Sequence, residues 1–419
     1  MMMGVFLLSL TAFLPAAEAK ILTWQECVQA VAQRNPNLHA SEENALSTDD
    51  LVGSSRSGFF PSLTGTVNSN HQFSNPSAPQ INYQSGVNTS SALTLNYNLF
   101  SGFRDLATVN KAKGNLVVAH ASLDGVRASV SDALRQAAIR LYYAQSNVTL
   151  TASIRDRRAQ NERMIRAQYE NGRENQGSYL LSQSKLESSK FDFLVATHAE
   201  VIAREALAHA IGEYDSNLSL VGDLPRSDPP GEMNLKDLVQ VTPTHRIQEG
   251  QVYVSQANVT LANAGFFPSL DFTAAVQNPN HVLYTNDNQY WSVGLGLTIP
   301  LFSGLSTFYS TKSAHALERA ANETEFYTDL TTYETLRRAL YSFQESVQKL
   351  KVDALTLNAL SAQERIATKQ YNNGLMKFEN WDIIEGNFID AQKIALASAR
   401  DRDIAESAWR LAQGLGDLP

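Results

Sequence analysis

The side chains in this sequence that could do chemistry are few, and none form a catalytic set. No HExxH, GxSxG, glycine-rich phosphate loop or paired-cysteine metal motif occurs. The eight histidines, among them His39, His71, His120, His198, His209 and His315, show no ligand spacing. Cys27 is the only cysteine, so no internal disulfide can form. No enzyme activity, cofactor or metal is expected. The pair worth attention is in WDIIEG, where Asp382 and Glu385 stand at i and i+3 and share one face of a helix. Such a pair could attract cations. It could equally cap a helix N-terminus and favour its dipole.

What positions these residues is a duplication. GFFPSL occurs at 58–63 and 265–270, and LFSG follows each time, at Leu99–Gly102 and Leu301–Gly304. ERMIRAQYENG (Glu162–Gly172) matches ERIATKQYNNG (Glu364–Gly374) at an offset of 202 residues. EALAHAIG and WRLAQGLG close the halves. The chain divides into repeats at 20–212 and 243–419, joined by a linker segment, 213–242, that is rich in Pro, Gly and Asp and reads as irregular.

Within each repeat the period changes. Ser306–Asn373 has no Gly and no Pro. Leu336, Leu340, Phe343, Val347, Leu350, Ala354 and Leu357 alternate steps of four and three, a heptad seam. The first copy keeps a leakier register through Leu134, Ala138, Leu141, Gln145 and Val148. The patterns predict long helices over 104–171 and 306–373. At 1.5 Å per residue each is on the order of 100 Å long, too long for a compact globule. Gly172 and Gly374 mark the turns at their ends, and returning helices are expected over 178–212 and 382–413.

The stretches between the repeated phrases alternate with period two. Leu63, Gly65 and Val67 oppose Thr64 and Thr66, and Leu93, Leu95 and Tyr97 oppose Thr94 and Asn96. Leu270, Phe272 and Ala274 oppose Asp271 and Thr273, and Val293, Leu295 and Leu297 oppose Ser292, Gly294 and Gly296. Strands are expected near 60–73, 90–101, 267–278 and 289–302, paired as hairpins with polar tips near 74–89 and 279–288. Both strands of a hairpin begin and finish at one end. Phe59, Phe60, Phe100 and Phe103 therefore converge, as do Phe266, Phe267 and Phe302, which suits the aromatic girdle of a membrane β-barrel. Four strands cannot close a barrel, and an open edge in hydrocarbon costs several kcal/mol per unpaired group. Spanning strands would require association with identical chains.

Bulk properties agree. The chain has 419 residues and a formal charge of −8, which argues against nucleic acid as a partner. The long apolar run is MMMGVFLLSLTAFLPAAEAK. Val5–Leu14 has the length of a signal-peptide core, and Ala17-Glu18-Ala19 fits a cleavage site, giving a signal peptide over 1–19. The first residues carry no Lys or Arg, which leaves the translation start open.

GFFPSL with TIPLFSG, the opening LTWQECVQAVAQRNPNL, and QYNNG before a helix resemble the TolC-type outer-membrane efflux protein family over about 20–416. The resemblance implies a mainly α fold with a small antiparallel β part and internal duplication. Very long coiled-coil helices would form a periplasmic tunnel, and two β-hairpins would contribute four strands to an oligomeric transmembrane β-barrel. It further implies a homo-oligomer, a trimer, in the outer membrane of a Gram-negative bacterium, in contact with outer-membrane lipid. Its partners would be a periplasmic adaptor protein and an inner-membrane pump or ABC transporter, for drug efflux or type I secretion. By the same resemblance Asp382 and Glu385 would ring a periplasmic gate, with repulsion among six carboxylates resisting closure. Tyr169, Tyr371 and Lys377 are possible gate-bridging residues. The competing reading is a periplasmic coiled-coil adaptor or scaffold without a barrel, which would not need four alternating strands.

Overall fold

Two helices of 67 residues dominate the protein. In the computed structural model, residues 20–74, 84–214, 217–222, 224–278 and 289–418 are described. The expected leader over 1–19 and most of both hairpin tips lie outside them. In chain order the elements are β1 (Lys20–Leu22), α1 (Trp24–Arg34), α2 (Pro36–Ser55), β2 (Ser62–Ser74), β3 (Gln84–Phe100), α3 (Arg104–Glu170) and α4 (Gln176–Ile211). There follow β4 (Leu218–Leu220), α5 (Leu235–Val241), α6 (Pro243–Asn263), β5 (Ser269–Asn278), β6 (Tyr290–Thr298), α7 (Ser306–Asn372) and α8 (Phe378–Ala412). The fold is mainly α with one small antiparallel sheet, and it is internally duplicated.

Local chemistry sets the boundaries. Thr23 and Glu26 form a reciprocal capping box at the start of α1. Asn35 is extended because Pro36 follows, and its Oδ1 accepts from the backbone of Asn37 and Leu38 to start α2. Pro243 occupies the first turn of α6 behind the Thr242 cap.

The chain forms two compact units. Of the described residues, one unit holds those up to His39, those within Val126–Asn234 and those from Thr335 on. Its main core packs Cys27 and Val31 of α1 against Leu134, Ala138 and Leu141 of α3 and Leu207 and Ile211 of α4, with Leu218 and Leu220 of β4. On α7 the seam is buried at Leu336, Leu340 and Phe343. Further along, Val352, Leu355 and Ile366 are exposed.

The 213–242 linker is more ordered than its composition predicts. β1 and β4 pair in parallel, and α5 is helical. Arginines pin the intervening stretch. Arg226 donates twice to Asp403 at 2.9 Å, while Arg135 reaches Glu406 at 3.1 Å and Asp417 at 3.2 Å. The Ser227 N–H and hydroxyl both donate to Glu406. Burial alone would raise the Asp403 carboxyl. Hydrogen bonds from Arg226, Arg402 and Tyr143 outweigh that and hold it below the usual carboxylate range.

The other unit holds Ala40–Gly125 and Leu235–Glu334. Here α3 and α6 approach closely through Gly114 and Gly250, where a Cβ would meet Val254 and Val118 side chains at 2.7 Å. His245 is buried and its ring Nδ1 lies 2.8 Å from Asp329. The sheet runs β2-β3-β5-β6, every pair antiparallel. Pairing of β3 with β5 joins the two hairpins and leaves β2 and β6 as edges.

Candidate functional site

Two features carry the chemistry: the turn end of the helical hairpins and the four-stranded sheet. At the turns, Tyr-Glu-Asn-Gly and Tyr-Asn-Asn-Gly build the same structure. Gly172 and Gly374 take left-handed φ of 69° and 73°. The N–H of Gly172 bonds to the carbonyl of Tyr169 and that of Arg173 to Gln168. Gly374 and Leu375 repeat this with Tyr371 and Gln370. These are Schellman motifs, which satisfy the last carbonyls of α3 and α7.

The returning helices start earlier than expected. They begin at Gln176 and Phe378, not at 178 and 382, and the 202-residue offset is kept without insertion. The reason is packing. Phe378 and Trp381, three residues apart, are buried against Tyr371, Ile165 and Ala367 and draw the segment into helix. Asp382 is therefore no N-cap; that position is Lys377, which makes no side-chain cap bond.

Asp382 and Glu385 are buried within the chain. Arg158 of α3 donates to Glu385 at 2.8 Å and lies 3.7 Å from Asp382. Asn161 also donates to Glu385, and Lys185 of α4 to Asp382. Burial pushes the Glu385 carboxyl above the usual range, opposed by Arg158, Asn161 and Arg157. The mutual repulsion expected of this pair is thus largely offset by cations of the same chain. Arg158, Asn161 and Lys185 were missed in the sequence, because helical residues that face a carboxylate across the fold leave no local signal.

The aromatics at the turns divide. Tyr371 is buried, stacks on Trp381 at 4.7 Å, and its hydroxyl donates to Gln168 at 2.6 Å, with Glu174 at 3.1 Å. Burial and the neighbouring Glu174 raise its phenol well above the ordinary value. Tyr371 thereby ties the second copy to the first. Tyr169 stacks on Tyr179 at 5.4 Å and stays exposed. Lys377 is exposed.

The sheet has two unlike faces. Cross-strand register places Leu63, Leu95, Ala274 and Val293 in one row, and Gly65, Leu93, Val276 and Trp291 in the next. This face is apolar and open, with Val67 at 65% and Leu295 at 67% exposure. The opposite face carries Thr64, Thr94, Asn96, Asn98, Asp271, Thr273 and Ser292. Pro61 and Pro268 stand immediately before β2 and β5, where a missing N–H costs no ladder bond. Phe59, Phe60, Phe266, Phe267 and Phe302 are exposed at the same end of the sheet as Phe100. Phe103 meets Phe100 and Phe267 edge-on, at 5.4 and 5.5 Å. The swing from strand to helix uses two successive left-handed residues, Gly102-Phe103 and Gly304-Leu305.

No described helix is long and apolar enough to cross a membrane. Among the described residues, no cluster of His, Cys, Asp or Glu is placed to hold a metal ion.

A duplicated chain of long helical hairpins, each copy adding two strands to one edge-open amphipathic sheet, has the fold of the outer-membrane channels. The chain belongs to the outer membrane efflux protein family, whose model matches it twice, over residues 27–213 and 243–416. Solved structures of similar fold include the outer membrane protein VceC of Vibrio cholerae (TM-score 0.80, 18% identity, 94% of this chain and 96% of that one). The CmeC outer membrane channel of Campylobacter jejuni is also similar (0.79, 17%, 94% and 86%). So is the open state of the MtrE outer membrane channel of Neisseria gonorrhoeae (0.79, 18%, 94% and 89%). No curated protein sequence matches the chain. The family consists of channel proteins, and transport is its chemistry.

Proposed function

We propose that this protein is the outer-membrane exit duct of a tripartite efflux or type I secretion system, passively conducting substrates from a periplasmic pump assembly to the exterior. The observation that carries the reading is the four-stranded sheet. It has one open apolar face, one polar face and two edges, β2 and β6, without a partner strand among the described residues. In hydrocarbon both edges must pair, and copies of the same chain offer complementary edges. Three copies would close twelve strands, apolar face to lipid and polar face to a lumen. Phe59, Phe60, Phe100, Phe266, Phe267 and Phe302 would form its interfacial girdle. The apolar residues left exposed on α7, Val352, Leu355 and Ile366, would pack against the next copy in a helical tunnel.

In this reading 1–19 is a signal peptide, the two repeats with their linker form one protomer, and the hairpin turns are the periplasmic tip. Asp382 and Glu385 hold that tip closed through Arg158 and Lys185, with Tyr371 as a second tie. A periplasmic adaptor and an inner-membrane pump or ABC transporter choose the substrate; the duct itself discriminates little.

The test is membrane fractionation followed by bilayer recording. The protein should stay with outer membranes through a carbonate wash and, once purified, open discrete channels in planar bilayers. A carbonate-soluble pool without channel activity would refute the duct and favour the adaptor.

A further inference from the structure

Among the described residues of the four-stranded sheet, Asp271 is the sole Asp, Glu, Lys or Arg. It stands on the polar face, third in β5, directly opposite Asn98 of β3 and Gly296 of β6. Asn98 Nδ2 donates to Asp271 Oδ1 at 2.7 Å, and the Ser269 hydroxyl, two residues back on the same face, reaches Oδ2 at 3.4 Å. These bonds orient the carboxylate without neutralising it, and no described cation pairs with it. On its other flank the polar face is bare: Gly294 and Gly296 contribute no side chain, and a Cβ at Gly294 would meet nothing within 4 Å. Its position contrasts with that of the turn acids. Asp382 and Glu385 have Lys185 and Arg158 beside them, whereas Asp271 has no described cation within ion-pair distance.

We infer that Asp271 sets the charge selectivity of the pore, favouring inorganic cations and cationic solutes over anions. The inference rests on the barrel reading above. If the polar face lines a lumen, each copy places one oriented, unpaired carboxylate at the same level, next to the girdle end of the sheet. A ring of like charges in a confined water-filled channel raises the local cation concentration and excludes anions. The effect must fade with salt, since the screening length falls from about 10 Å at 0.1 M to about 3 Å at 1 M.

Reversal potentials of the purified oligomer, in planar bilayers under a KCl gradient, decide the matter. Near 0.1 M salt the unaltered protein should prefer potassium to chloride, and the preference should shrink toward 1 M. Asp271→Asn should lower the permeability ratio at least about twofold, with conductance at 1 M nearly unchanged. Asp271→Glu should keep the preference and Asp271→Lys should turn it toward chloride. Channels of the unaltered protein without cation preference, or an Asp271→Asn channel with the same ratio, would overturn the inference and leave the barrel standing. Absence of any channel from the unaltered protein would instead overturn the barrel reading.

Discussion

Replacing Arg158 with Ala tests whether the buried turn network holds the hairpin ends together. The Glu385 side chain is 1% exposed and that of Arg158 11%, so the pair is almost wholly out of water. Removing one partner of such a pair typically costs about 3–5 kcal/mol, because the other charge is stranded. Here two things moderate the loss: Asn161 still donates to Glu385, and the already raised carboxyl can take up a proton. About 2–3 kcal/mol is the expected local destabilisation. Amide hydrogen exchange reads it directly, since opening free energies of contiguous segments are measured one by one. Amides within 378–388 of α8 should exchange about 30- to 150-fold faster in Arg158→Ala. The strands of the sheet should be unchanged. Adding Glu385→Gln to Arg158→Ala should recover most of the loss, because the amide leaves no uncompensated charge. Exchange within about threefold of the unaltered protein over 378–388 would refute the argument.

Three further outcomes are expected. The Glu385 carboxyl titrates above an unfolded-chain glutamate, so the folded state holds an extra proton between the two values. Its contribution to stability therefore declines as pH rises through that window, and Glu385→Gln should flatten this part of the stability–pH profile. Asp403 runs the opposite way. Its folded value is lowered, so its contribution is present above the ordinary carboxylate value and lost on acidification; Asp403→Asn should remove that acid sensitivity, measured by protease sensitivity of the 224–230 stretch across pH. Tyr371→Phe deletes the hydroxyl bonds to Gln168 and Glu174 while keeping the stack on Trp381. It should loosen the turns by about 1 kcal/mol in hydrogen exchange, without altering the sheet.

The repeats were legible because duplication leaves identical phrases at a constant offset. The long helices were legible because a heptad seam uninterrupted by Pro has one regular solution. The strands were readable from strict alternation, with proline allowed only at their entrances. The start of α8 differs from the local sequence signal. A first-turn acid is a common sign of a helix N-terminus, and Asp382 resembled one. Phe378 and Trp381 overrode that sign by burying against Tyr371, a contact the local sequence does not announce.

Periodicity and repetition are properties of neighbouring residues, and so the chain alone determined its duplication, its helix and strand classes and its amphipathic faces. Which charges are neutralised depends on which side chains meet across the fold. Only the tertiary structure decided that the acids at the turns are paired with Arg158 and Lys185. Among the described residues, the same structure gives Asp271, the carboxylate of the sheet, no counter-ion. A charge's energy is set by its nearest partners and its access to water, and neither can be read along the chain.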